Sequence, residues 1–189
     1  ITIERVADLT IPTIELFDVS NNTIIADGVL CFSGDYELRG ANFDATTEEV
    51  VWSASNTNVT LGNLTTQNTS LSGLVNGTSV DVTYTINSKF GTCEVEETKT
   101  LTITDVPSMS GQTISGLTTV CENDQTNYSG LLSSGLATSY VWNLPDNSTQ
   151  TTTTGSLTID FSSISTGDLS VEPSNRCGVG AKSDDLTIV

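Results

Sequence analysis

At 189 residues the chain has room for one or two domains. Its net charge of −17 would repel phosphate backbones and anionic bilayers, which argues against nucleic-acid and membrane-surface partners. Histidine is absent, so Ser-His-Asp and Cys-His chemistry are excluded.

Strict alternation of apolar and polar residues marks the strands. Residues 1–6 (ITIERV) read as a linker or as the last strand of a preceding repeat, because the motif returns as LTITDV at 101–106 and in part as LTIV at 186–189. Residues 10–17 open the first unit, with Pro12 suited to a sheet edge. An Asn21-Asn22 turn leads to a second short strand that ends at Cys31. Strands are predicted at 36–43, 49–54, 79–86 and 94–104, with short strands and turns over the Asn- and Thr-rich stretch 55–78. The second unit follows with strands at 118–121, 126–132, 139–144, 149–154, 157–161, 168–173 and 184–189. No stretch shows a helical period with caps. No apolar run is long enough for a helix to span a bilayer. The fold class is all-β.

The units mirror each other. Cys31 to Trp52 and Cys121 to Trp142 are both 21 residues apart, with Gly40 and Gly130 nine residues after the cysteine. A later cysteine, Cys93 or Cys177, closes each copy. This predicts two tandem immunoglobulin-like β-sandwiches, over 7–106 and 107–189, with Trp52 and Trp142 in the cores and one disulfide per domain. Four cysteines without histidine or a C-x-x-C pair favour disulfides over zinc and imply an oxidising, extracellular setting. Both halves are acidic, with four basic and fifteen acidic residues over 1–106 and two and eight over 107–189. No signal peptide is visible, and the chain is expected to be a piece of a longer exported protein.

In the second unit, SGLTTVCENDQTNYSG, ATSYVWNLP and LSVEPSNRCGVGAKSDDLTIV resemble the PKD-like, immunoglobulin-like modules repeated in large secreted proteins of Bacteroidota. The first unit shares only the Cys, Trp and Cys pattern. The resemblance implies export, by a type IX route, and a place in a surface adhesin or a multidomain enzyme, with no catalytic residue carried over. Antibody-type domains hold their cysteines inside strands. Here Cys121 directly precedes a turn, and Cys93 and Cys177 lie in or beside late turns. Each disulfide is therefore expected to staple one end of its sandwich, joining an early strand end to the last hairpin.

Other candidates have plainer readings. Trp52, Trp142 and Tyr140 could stack on sugars, but the tryptophans share one core position of a repeat. Tyr84 could pin a corner through its hydroxyl or simply pack. Glu48–Glu49, or Glu94, Glu96 and Glu97, could serve acid–base chemistry; Glu94 and Glu96 share a strand face and read as solvated surface. Calcium is the ion an acidic extracellular sandwich admits, with Asp27, Asp35, Glu122 and Asp124 as scattered oxygen donors. No D-x-D-x-D-G loop is present, and no cofactor is expected. Ser-Lys chemistry would need Lys89, Lys99 or Lys182, all in polar segments.

The expected function is a non-catalytic structural or display module of a secreted or cell-surface adhesin. Its partners would be the neighbouring repeats of the same polypeptide, and the fragment itself would be monomeric. Rival readings are a module that binds a glycan or a surface protein through loops at one end, or an accessory domain of a secreted polysaccharide-degrading enzyme.

Overall fold

The computed structural model describes residues 9–163 and 166–189. The expected strand or linker over 1–6 lies outside the described residues. The protein is all-β and divides into two compact units, Ile1–Thr104 and Asp105–Val189.

The first unit contains β1 (Thr13–Asp18), β2 (Thr23–Ile25), β3 (Val29–Cys31), β4 (Tyr36–Ala41), β5 (Glu48–Ala54), β6 (Thr60–Leu61), β7 (Asn68–Ser72), β8 (Thr78–Ser88) and β9 (Glu94–Thr104). One sheet runs β2-β1-β4-β7-β6 and the other β3-β9-β8-β5. Alternation decides which face is buried: β1 hides Ile14, Leu16 and Asp18, and β8 hides Val80, Val82, Tyr84, Ile86 and Ser88. Leu16, Leu38 and Leu71 from one sheet meet Trp52, Tyr84 and Leu101 from the other in a single core.

The predicted single strand before Cys31 is two strands on different sheets. β2 pairs antiparallel with β1, whereas β3 pairs parallel with β9 (Cys31 opposite Thr104). Gly28 turns the chain between them with φ +71°, and a Cβ there would lie 2.7 Å from the Thr100 carbonyl oxygen, so only glycine fits. The Asp27 carboxylate accepts the Val29 N–H and holds the corner.

The second unit contains β10 (Gln125–Ser129), β11 (Ser139–Asn143), β12 (Thr149–Thr152), β13 (Ser156–Asp160), β14 (Gly167–Asn175), β15 (Gly178–Val179) and β16 (Leu186–Ile188). β10 and β13 form one layer; β12-β11-β14-β15, with β16 also on β14, forms the other. Between them lie Tyr128, Trp142, Leu157, Phe161, Leu169, Val171 and Ile188. The expected strand 118–121 is not a formal strand. Its backbone nonetheless straddles Val189: the Val120 N–H donates to the Val189 carbonyl and the Val189 N–H to the Thr118 carbonyl.

Tyr84 carries the cost of this packing. It stands opposite Trp52 in the β5–β8 ladder, with ring centroids 4.4 Å apart, and its hydroxyl has no hydrogen-bond partner among the described residues. Burial, with the nearby negative charge of Glu48 adding to it, pushes its pKa up to about 12. The unfolded chain would lose this proton near pH 10, before the folded one does. This group's contribution to stability is thus fully present below pH 10 and is lost as pH rises from 10 towards 12. Tyr84→Phe keeps the ring and deletes the orphan hydroxyl. It should raise stability at pH 7 by about 1 kcal/mol and reduce the decline above pH 10. Urea titrations at pH 7 and pH 11 check both, and a lowered midpoint at pH 7 would mean that the hydroxyl is satisfied.

Candidate functional site

The cysteines were expected to be bonded in pairs within each sandwich. Cys31 and Cys177 are disulfide-bonded, but Cys93 and Cys121 are exposed free thiols. Pairing within each unit is therefore overturned, and strand geometry supplies the reason. Cys93 immediately precedes Glu94 at the start of β9, whereas Cys31 faces Thr104 at its far end. Eleven residues of strand separate them by roughly 35 Å at ~3.3 Å per residue, while a disulfide needs Cα atoms within about 7 Å. In the second unit Cys121 follows the segment bonded to Val189, beyond Ile188, which stands opposite Gly167 at the start of β14. Cys177 lies past Asn175, at the end of β14. They are roughly 25 Å apart by the same rise.

Each cysteine is locally well defined. Cys31 and Cys121 both end a segment lying alongside the last strand, and both open a turn in which their carbonyl accepts an N–H three residues on, from Gly34 and Asp124 respectively. The Tyr36 hydroxyl clamps the Cys31 backbone, accepting from its N–H at 2.8 Å and donating to its carbonyl at 3.2 Å. The Asp124 carboxylate accepts the Cys121 N–H at 2.9 Å. Cys93 and Cys177 each sit in the hairpin before the last strand segments: the Ser88 N–H donates to the Cys93 carbonyl, and the Cys177 N–H donates to the Asn175 side-chain oxygen.

The strands also fix where the chain enters and leaves each unit. In the first, Thr13 stands opposite Ala41, and the loop after Ala41 reaches the β8–β9 hairpin, where the Lys89 N–H donates to the Thr47 carbonyl. The chain therefore enters beside Cys93 and leaves at Thr104 beside Cys31. In the second unit the Asn175 amide donates to the Asp105 carbonyl, so the chain enters beside Cys177. It leaves at Val189 beside the segment that ends in Cys121. Entry and exit lie at opposite poles of each sandwich.

Both indoles are inside. Trp52 is 1% exposed and donates its Nε1–H to the Thr66 carbonyl; Trp142 is fully buried and donates to Thr152 Oγ1. Neither can stack on a sugar, and Tyr140 is also buried. Glu48 and Glu49 are successive residues of β5 and point to opposite faces, Glu48 buried and accepting the Asp44 N–H, Glu49 exposed. They cannot flank one bond as an acid–base pair. Glu94, Glu96 and Glu97 are exposed on β9. Among the described residues no three Asp, Glu or Cys side chains come together as a metal site. Asp27 and Asp124 instead accept backbone N–H groups in their own turns. Lys182 is paired with Asp185 at 2.8 Å, and Lys89 donates to the Ala45 carbonyl.

One concavity escaped the sequence reading. A cleft of about 400 Å³ beside β5 is lined by Phe43, Glu48, Val50, Val51, Thr65 and Lys89, among others. Val51, on the solvent-facing side of the alternating β5, is an exposed apolar side chain beside it.

Residues 106–188 match the family model of the PKD-like domain. A search of curated proteins found no match. Among solved structures, the chain is similar to a Dscam structure on the basis of isoform specificity (11% identity, TM-score 0.47, covering 93% of this chain and 46% of that one). It is also similar to the extracellular domains 3–5 of Drosophila OTK (12%, 0.40, 85% and 57%) and to the amphioxus IgVJ-C2 molecule (12%, 0.36, 98% and 92%). The chain spans about half the length of the first two. The PKD-like match lies wholly within the second unit, and the fold assignment for both units rests on their strands and register.

Proposed function

We propose that this chain is a non-catalytic spacer and display element of a large secreted or cell-surface adhesin, with neighbouring repeats of the same polypeptide as its principal partners. The observation that carries the reading is the opposite placement of entry and exit in each unit. A sandwich threaded from pole to pole adds its full length to an array; one with both ends at the same pole would hang from it as a side branch. The acidic surface discourages self-association between arrays. A disulfide suits an oxidising extracellular setting, and the Cys-Glu-Asn and Pro-Ser-Asn-x-Cys-Gly motifs support type IX export by resemblance.

The second reading, a module that binds a glycan or surface protein, draws on the β5 cleft, whose size falls within the range of small-ligand sites. A glycan array followed by calorimetry, with and without calcium, separates the two. The spacer reading expects no saturable heat in either condition. Reproducible binding that Val51→Glu or Lys89→Ala abolishes would replace it with the ligand-binding one.

A further inference from the structure

We propose that Cys93 and Cys121 are half-cystines of staples between consecutive repeats: the exit-pole cysteine of one repeat bonds the entry-pole cysteine of the repeat that follows. Each unit carries one cysteine of each kind. Cys31 and Cys121 occupy exit poles; Cys93 and Cys177 occupy entry poles. Strand length forbids a bond between the two within a unit. In a polypeptide of linked repeats, the short connection tethers the exit end of one repeat to the entry end of the next, which raises the effective concentration of the complementary thiol.

The state of the four sulfurs supplies an independent observation. One exit-type cysteine, Cys31, and one entry-type cysteine, Cys177, are disulfide-bonded. The remaining exit-type and entry-type positions, Cys121 and Cys93, are free and exposed. Their surroundings are already organised for a fixed partner. Cys121 has the same carbonyl-closed turn as bonded Cys31, and its N–H is held by Asp124. Cys93 is held by the Ser88–Cys93 bond that closes its hairpin. The partner is therefore a cysteine of a flanking domain of this kind: Cys121 takes the entry-type cysteine of the next repeat, and Cys93 the exit-type cysteine of the one before. Bond formation joins two thiols into one disulfide with release of two protons and two electrons. The electrons pass to an oxidised dithiol of the exported compartment or, in the test tube, to oxidised glutathione.

This deepens the spacer reading and rests on it for the existence of flanking repeats, but the experiment does not depend on any ligand. Two copies of the chain are fused in phase by joining residues 1–185 of the first to residues 1–189 of the second. Ile1-Thr2-Ile3 then stands where Leu186-Thr187-Ile188 was. The fusion is equilibrated in glutathione redox buffer, blocked with N-ethylmaleimide, digested without reductant and mapped by mass spectrometry. The expected product links Cys121 of the first copy to Cys93 of the second, leaving two blocked thiols of eight cysteines. The unfused chain should show two blocked thiols of four and, at equal concentration, at least ~10-fold less of the Cys121–Cys93 linkage, because the fusion supplies a high effective concentration. Four free thiols in the fusion, or Cys93–Cys93 and Cys121–Cys121 links in place of the mixed one, would overturn the proposal. An intact intrinsic-fluorescence melt of the fusion shows that such a failure is not misfolding, and leaves the spacer reading to its own binding assays.

Discussion

Trp142→Ala should remove about 3–5 kcal/mol from the second unit, the cost of deleting a large buried aromatic side chain. Trp142 is fully buried on β11 between β12 and β14, and its one polar atom is satisfied by Thr152. The mutation therefore leaves a cavity in a core built from few large side chains, and it orphans the Thr152 acceptor. Domains of this size hold about 5–15 kcal/mol in total, so the unit should be near the edge of folding at 37 °C. Its melting temperature, followed by circular dichroism, should fall by about 15 °C or more. Trp142→Phe fills much of the same space and should cost less. A loss below ~1 kcal/mol for the alanine variant would mean that the indole is not the centre of the packing.

Gly40→Ala should be nearly as damaging to the first unit although it adds one methyl group. A Cβ at Gly40 would stand 2.2 Å from Tyr84 Cζ and 2.4 Å from Cε1, and the ring has no room to retreat because it lies against Trp52. Overpacking of this kind costs about 1–3 kcal/mol, with the upper figure expected where a stacked ring must move. Two further variants identify the cause. Gly91→Ala meets nothing within 4 Å and should be close to neutral. Tyr84→Leu in the Gly40→Ala background should cost less than the two single changes added together, a coupling that denaturant titration of the four proteins would measure. Additive losses would sink the steric account.

The sequence made the sandwiches legible because long alternating strings such as β8 and β9 leave one face to bury, and because the Cys-to-Trp interval repeats. Gly40 and Gly130 were visible as repeat marks without their reason. That reason is tertiary: Gly40 makes room for the Tyr84 ring and Gly130 for the methyl end of Met109, contacts across 44 and 21 residues of sequence. The split of β2 from β3 was hidden because an Ala-Asp-Gly interruption reads equally as a bulge or as a change of sheet. The cysteine pairing failed for a similar reason. Spacing places a cysteine near a strand end, but which pole that end occupies depends on the parallel addition of β3 to β9, which no local pattern encodes. The β5 cleft was masked in the same way, since Glu48 and Glu49 look like a pair in one dimension and face apart in three.

The parallel β3–β9 pairing has a kinetic meaning. Val29 stands opposite Thr102 and Cys31 opposite Thr104, partners 73 residues apart in sequence, so closing this ladder costs more chain entropy than closing the neighbouring β8–β9 hairpin. Folding should therefore zip the hairpin first and seat the three-residue β3 at its far edge late.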